Sequence, residues 1–256
     1  VKRALIGHTG FVGGTLLAAD GFSHGFNSKN VREMEGQHFD EIVCAGVPAV
    51  KWLANRAPAQ DRAAIGGLLS VLERTSAGRF VLVSTVDVYP DPAQPLDEDA
   101  DLRDLPNQPY GLHRFEVEQF VARRFPNHSI VRLPALFGQG LKKNALFDLL
   151  NDNMVEKINP AGVFQWYPTS RLAGDLARVA EAGLTLVNLV TQPVAMREVI
   201  ARFFPGAPVG PEAEPAPRYG LRTKYAAPFG GTPPWIMTVP EVLAEMDRFI
   251  TASSRP

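Results

Sequence analysis

The stretch Ala4–Leu5–Ile6–Gly7–His8–Thr9–Gly10–Phe11–Val12–Gly13 sets a short apolar run directly against three evenly spaced glycines. Residues 2–7 read as a buried strand and residues 11–19 as a helix, so the glycines fall in the turn between them. Glycine answers three demands there: unusual backbone angles in a tight turn, close approach of an anion to the backbone, and tight packing of helix on strand. Unpaired N–H groups at the helix start, and the positive end of its dipole, favour a phosphate. A glycine trio alone is a weak signal. The strand before it, the helix after it and its N-terminal position turn it into an expectation of dinucleotide binding. Gly7, His8, Thr9, Gly10, Phe11, Val12 and Gly13 are then the phosphate cradle.

Working outward, short apolar runs alternate with helical patterns, as in a parallel α/β sheet. A weak strand is expected at 24–27 and strong ones at 40–46 and 79–85, with a helical stretch at 60–75. Residues 110–125 read as a helix, with Leu112, Phe115, Phe120 and Val121 on one side. Further strands are expected at 129–133 and 185–190. Only a turn or two of helix fits between Asn27 and Asp40, so the sheet is compact. Beyond Phe137 the texture changes: residues 205–217 hold five prolines in thirteen positions, and Gly230–Gly231–Thr232–Pro233–Pro234 is another breaker cluster. The expected architecture is a Rossmann-type doubly wound parallel sheet with a small C-terminal substrate lobe. Residues 1–140 would form the core, with a returning segment at 170–192; residues 141–169 and 193–256 would form the lobe, closed by a helix at 240–250.

Composition bounds the function. The chain has 256 residues, 45% hydrophobic and 21% charged, with a net charge of -1. That balance argues against nucleic acid as a partner, since such binders carry a basic face. No apolar run approaches the ~20 residues of a membrane span, and no signal-peptide pattern is visible, so the cytoplasm is the expected compartment. The one cysteine, Cys44, lies in an apolar run and reads as a buried structural thiol. The histidines show no metal-ligand spacing, and no metal is expected.

The second strand is followed by Asn27–Ser28–Lys29, where an acid would favour NAD by binding the adenosine ribose. Asn27 and Ser28 can hydrogen-bond a ribose and Lys29 can meet a 2′-phosphate, which leans the cofactor toward NADP without excluding NAD. Ser84–Thr85 ends a strand, where ligand clefts of open α/β sheets lie. A strand-end hydroxyl there can orient a substrate and stabilise a developing oxyanion. Tyr110 is followed four residues later by Arg114, on the same helix face. A nearby cation lowers a phenol's pKa from about 10 toward neutrality and makes it a usable acid or base. His113, three residues from Tyr110, has no nameable partner and reads as a solvated helix histidine.

Gly7-x-x-Gly10-x-x-Gly13, Ser84–Thr85, Pro109–Tyr110–Gly111 and Val131–Arg132–Leu133–Pro134–Ala135–Leu136–Phe137–Gly138 together resemble the extended short-chain dehydrogenases/reductases. In texture they are similar to NAD-dependent epimerase/dehydratases and dTDP-4-dehydrorhamnose reductases, enzymes of nucleotide sugars. The resemblance runs over residues 2–180. It implies Thr85, with Ser84 beside it, as the hydroxyl position, Tyr110 as acid/base, and Cys44–Ala45–Gly46 lining the nicotinamide ribose. The family's catalytic lysine is Arg114 here, Ala64 stands at its relay asparagine, and Gln165 near a diphosphate-binding arginine. Arginine keeps the charge and can hydrogen-bond ribose hydroxyls, which places Arg114 with Tyr110 among the expected cofactor contacts, but it cannot pass a proton along a relay.

For the substrate side, Lys142, Lys143 and Asn144 precede a helix start suited to phosphates. Gln165, Arg171 and Arg222 offer polar and charged groups to a nucleotide sugar. The acidic loop 91–104 reads as a solubilising connector. The leading expectation is an NAD(P)-dependent epimerase, dehydratase or reductase acting on a nucleotide sugar, with Tyr110 as proton shuttle. A cofactor-binding regulator or scaffold with lost turnover is the second expectation, and a reductase of small carbonyl compounds the third. A homodimer is suggested by the resemblance.

Overall fold

The computed structural model describes residues 1–19 and 21–253. In chain order its elements are β1 (Arg3–Ile6), α1 (Phe11–Ala18), β2 (His24–Phe26), β3 (His38–Cys44), α2 (Lys51–Arg56), α3 (Pro58–Glu73), β4 (Ser76–Thr85), α4 (Pro109–Arg124) and β5 (His128–Leu133). They continue with β6 (Ala135–Phe137), α5 (Ala145–Leu150), β7 (Val163–Phe164), β8 (Trp166–Pro168), α6 (Leu172–Glu181), β9 (Leu186–Asn188), β10 (Val194–Ala195), α7 (Met196–Phe203) and α8 (Val239–Ser253). Two compact units share them.

Unit 1 holds Val1–Pro90, Ala100–Arg132 and Leu176–Val187. Its six-stranded parallel sheet has the order β2-β1-β3-β4-β5-β9. Between β2 and β3 lies a single 3-10 turn, Val31–Met34, so the sheet ends at β2, as the short connection predicts. Apolar residues of α3 (Ile65, Leu68, Val71, Leu72) and α4 (Val117, Val121) join Phe39, Ile42, Phe80 and Leu82 of the central strands in one core. Their three- and four-residue spacing is what buries one helix face. The strand order reverses between β1 and β3, which puts the crevice of an open α/β sheet beyond the carboxyl ends of these two strands.

Unit 2 holds Asp91–Asp99, Leu133–Asp175 and Asn188–Pro256, the last three residues lying outside those described. It contains two small sheets, β6 parallel to β8 and β7 antiparallel to β10, with α8 packed on β8. Residues 91–99 and 133–140, assigned above to the core, group with this unit. The reason is visible at Glu98. Its carboxylate accepts from Asn188 N (2.8 Å), Thr223 Oγ1 (2.6 Å) and Lys224 N (3.1 Å), burying an acid within the loop read as a solubilising connector. Among the described residues no helix is long and apolar enough to cross a membrane.

Candidate active site

The glycine loop joins β1 to α1. Gly7 has φ +88, and a β-carbon on Gly13 would stand 2.0 Å from the Gly7 carbonyl oxygen, so helix and strand meet at a distance only glycine permits. Gly7 N donates to Phe26 O, Gly10 N to Gly7 O and Gly14 N to Gly10 O. The cap residue of α1 is Gly10; no side chain caps the helix and no acid lies in its first turn. Thr9 and Gly10 are exposed, while Phe11 and Val12 are half-buried. His8 Nδ1 donates to the Phe26 carbonyl (3.0 Å), tying the loop to β2.

After β2, Asn27 forms a local turn: its Oδ1 accepts from Lys29 N (2.9 Å), and its N–H donates to Asn30 Oδ1. Ser28 and Lys29 are exposed. Cys44 is fully buried at the end of β3, where burial pushes its thiol up to about 11, while Ala45 and Gly46 are half-buried beside Gly7.

At the carboxyl end of β4, successive residues face opposite ways, as strand residues do. Ser84 donates to Glu118 Oε1 (2.6 Å), and Glu118 is gripped by Arg132, which also donates to Tyr89 Oη (2.9 Å). Glu118 and Arg132 are buried, so Ser84 belongs to an internal network beneath the strand end. Thr85 turns the other way. Its Oγ1 accepts from Asp87 N (3.1 Å), and its side chain hydrogen-bonds to the phenol of Tyr110. The first turn of α4 abuts this segment so closely that a β-carbon on Gly111 would lie 2.1 Å from the Asp87 carbonyl oxygen.

Tyr110 is 8% exposed. The guanidinium of Arg114 sits over its ring at 4.1 Å, as the four-residue spacing predicts. The electrostatic consequence is the reverse of the one expected. Burial foremost, then the charge of Asp87, pushes the phenol up to about 12; Arg114 and the hydrogen bond with Thr85 pull it down by less.

Asp61 takes up the guanidinium of Arg114. It lies in the first turn of α3 and accepts from Arg114 Nη1 (2.6 Å) and Nη2 (2.8 Å) and from His113 Nδ1 (2.7 Å). Arg114 Nε (3.2 Å) and Nη2 also donate to the Pro48 carbonyl, and Nη1 to that of Tyr110 (3.2 Å). All five guanidinium N–H groups are used within unit 1. Burial would raise the Asp61 carboxyl, yet its bonds to Arg114 and His113 hold it below the usual range. His113 is thus a buried partner of Asp61 and not a solvated histidine.

Several residues of this pocket escaped the sequence reading. Asp87 pairs with Lys51 (2.8 Å), and Asn55 Oδ1 accepts from Tyr110 N (2.9 Å). Asp61, Lys51 and Asn55 lie 49 to 59 residues before Tyr110 in the chain, on α2 and α3. No local pattern marks them.

In unit 2, Asn144 caps α5, accepting from Phe147 N (3.0 Å) and donating to the Leu136 carbonyl. Lys142 and Lys143 are exposed just before it. Gln165 is 1% exposed and committed at both ends: its amide donates to Thr191 O and Leu221 O and its oxygen accepts from Leu221 N. It holds backbone, contrary to the ligand role expected of it. Arg171 bonds Asp175 and the Phe229 carbonyl, while Arg222 is exposed and held through its backbone.

No curated protein sequence matches the chain significantly. Among solved structures it is similar over 100% of both chains to a dTDP-4-dehydrorhamnose reductase from Clostridium acetobutylicum (17% identity, TM-score 0.75). It is also similar over 100% of both chains to a UDP-glucose 4-epimerase from Thermotoga maritima with UDP-glucose (14%, 0.74). RMD from Pseudomonas aeruginosa, complexed with NADPH, matches 99% of this chain and 98% of its own (19%, 0.70). These likenesses show the fold. The model of the NAD dependent epimerase/dehydratase family matches residues 26–164, more than half of the chain, a span that holds Thr85, Tyr110 and Arg114. The chain is a member of the NAD dependent epimerase/dehydratase family.

Proposed function

We propose that this chain binds NAD or NADP at the carboxyl ends of β1 and β3 and uses Tyr110 for proton transfer to or from a nucleotide sugar. The observation that carries the reading is the meeting of the Thr85 and Tyr110 hydroxyls at the end of β4, in the same unit as the glycine loop.

The residues present fit a dinucleotide. The close Gly7–Gly13 approach seats the start of α1 against the end of β1, and α1 starts without a side-chain cap or an acid to compete with a diphosphate. Gly7, His8, Thr9, Gly10, Phe11, Val12 and Gly13 would hold the diphosphate; Asn27, Ser28 and Lys29 would meet the adenosine ribose; Ala45 and Gly46, after Cys44, would line the nicotinamide ribose. When bound, the cofactor supplies or accepts the hydride. Thr85 orients the reacting oxygen, and Tyr110 holds the proton. The absence of a carboxylate after β2, with Lys29 exposed there, favours NADP.

Support for a nucleotide sugar comes from the reductase and epimerase likenesses and from unit 2 itself. There, a cavity of about 290 Å³ is lined by Met154, Ile158, Phe164 and Met196 together with Asp148, Lys157 and Asn159. Lys142, Lys143 and Arg222 are exposed cations suited to a diphosphate.

A second reading, a cofactor-binding regulator without turnover, is favoured by one observation: Arg114, in place of the family's lysine, has every N–H engaged internally. One experiment separates them. The protein is titrated with NADH and NADPH by fluorescence, then incubated with UDP-, dTDP- and GDP-sugars, and the product masses are read. A product that depends on Tyr110 supports the enzyme; tight cofactor binding with no product on any sugar supports the regulator.

A further inference from the structure

The chain leaves β3 at Cys44 and enters α2 at Lys51, so residues 45–50 pass the crevice beyond β1 and β3 outside any strand or helix. The near end of this segment is tied to β1. Ala45 N donates to Ile6 O (2.9 Å), and a β-carbon on Gly46 would stand 2.8 Å from Ile6 Cγ2 and 3.2 Å from Gly7 N. Val47 packs on the core of the sheet. Pro48, which has no N–H to give, offers its carbonyl to Arg114 Nε (3.2 Å) and Nη2. The guanidinium is itself held from α3, where Asp61 accepts from Nη1 (2.6 Å) and Nη2 (2.8 Å), and from its own helix, where the Tyr110 carbonyl accepts from Nη1 (3.2 Å). Arg114, Asp61 and His113, the other donor to Asp61, are all buried. A guanidinium carries five N–H groups. With all five engaged, none remains for a ribose hydroxyl.

Resting on the functional reading above, we propose that Arg114 is a positioning residue: it makes no contact with the dinucleotide and instead braces residues 45–48, the crevice wall on the β3 side, against α3 and α4. Arginine suits this task because its planar fork presents two edges. One edge, Nη1 and Nη2, faces Asp61; the other, Nε and Nη2, faces the Pro48 carbonyl. A lysine ammonium is a single point and has no second edge. The same guanidinium lies 4.1 Å from the centre of the Tyr110 ring, so the brace also sets the spacing between this wall and the phenol. Stability alone does not account for the cluster, since apolar residues of similar volume often replace a buried ion pair at little cost. No apolar side chain, however, can hold the Pro48 carbonyl.

Two variants separate bracing from direct contact and from plain stability. Arg114→Leu combined with Asp61→Leu removes both charges; Asp61→Asn keeps the shape and the guanidinium, and carries both readouts should the double variant not fold. Amide hydrogen exchange of the full chain without cofactor, read by mass on peptides covering residues 45–56, should be about tenfold faster or more in the double variant, with peptides of β1 and β4 unchanged. NADPH affinity, read by fluorescence titration, should fall about tenfold because the wall is no longer preorganised. Adenosine 2′,5′-bisphosphate, the adenosine end of NADP alone, should bind as before. Asp61→Asn should speed exchange of the same peptides and weaken NADPH by about two- to fivefold, since a neutral amide holds the guanidinium less firmly than a carboxylate. If Arg114 served the cofactor directly, Asp61→Asn would free an N–H for it and NADPH would bind as tightly or more tightly. Unchanged exchange over residues 45–56, or NADPH affinity retained in the double variant, or retained or raised in Asp61→Asn, overturns the inference and leaves the cofactor reading intact. Failure of the unaltered chain to bind NADH or NADPH overturns the functional reading, and the exchange comparison still decides whether Arg114 holds the wall.

Discussion

The glycine loop at the end of β1 is built of backbone, whereas the pocket of Tyr110 at the end of β4 is built of side chains from four elements. The loop relies on N–H groups, which no accessible pH removes, and on β-carbons that are missing where helix and strand touch. The pocket relies on ion pairs, Arg114 with Asp61, which His113 also hydrogen-bonds, and Lys51 with Asp87. A cation four residues from a tyrosine is therefore close in space without dominating the field at its oxygen. What the field does depends first on burial and on Asp87, with Asp61 from α3 contributing less.

The sharpest way to break this contrast is to remove one member of the buried pair. Arg114→Leu leaves the Asp61 carboxylate buried with His113 alone and should cost about 3–5 kcal/mol in urea unfolding, while Leu at both positions should recover most of that. A loss under about 1 kcal/mol would mean the pair is solvated and the pocket's charge balance is misread. On the loop, Gly13→Ala forces a β-carbon against the Gly7 carbonyl. It should weaken NADPH binding by about tenfold or more, through some 1–3 kcal/mol of overpacking, and leave the Tyr110 titration unmoved. Retained affinity would show that the close approach does not shape the cradle.

The two regions should also differ at high pH. Because the folded phenol sits near 12 and an unfolded one near 10, the unfolded chain loses this proton first as pH rises. The native state then holds more protons, so stability falls by about 1.4 kcal/mol per pH unit between about pH 10 and 12. Tyr110→Phe lacks this loss, and denaturant midpoints of the two proteins should separate in that window alone. The smallest effect is expected at the rim of the loop. Lys29→Glu should shift the ratio of NADP to NAD affinity by about three- to tenfold toward NAD, measured by titration, and an unchanged ratio would make Lys29 a solvated residue.

Legibility followed the same division. The glycine loop is seven contiguous residues, and the alternating strands, the helix carrying Tyr110 and the short β2–β3 connection follow from local patterns of apolar residues and breakers. The spacing of Tyr110 and Arg114 correctly placed guanidinium over ring. It could not reveal Asp61, 53 positions away, or the Lys51–Asp87 pair, since ion pairs between separate helices leave no periodic trace. Ser84 is drawn inward by Glu118 and Arg132, whereas Thr85, the position the resemblance implies, faces the phenol. Gln165 and Glu98 misled for a related reason. Gln165 reads as a substrate contact and the loop of Glu98 as a solubilising connector, yet each is buried where it ties distant stretches of chain together.

The most direct test of the account compares Tyr110→Phe with the unaltered chain, measuring NADPH affinity and product formation on the same nucleotide-sugar panel. The account predicts equal affinity and a loss of about 10²- to 10⁴-fold in product formation, as expected when a positioned proton donor is removed. A Tyr110→Phe protein that forms product at the original rate would contradict it.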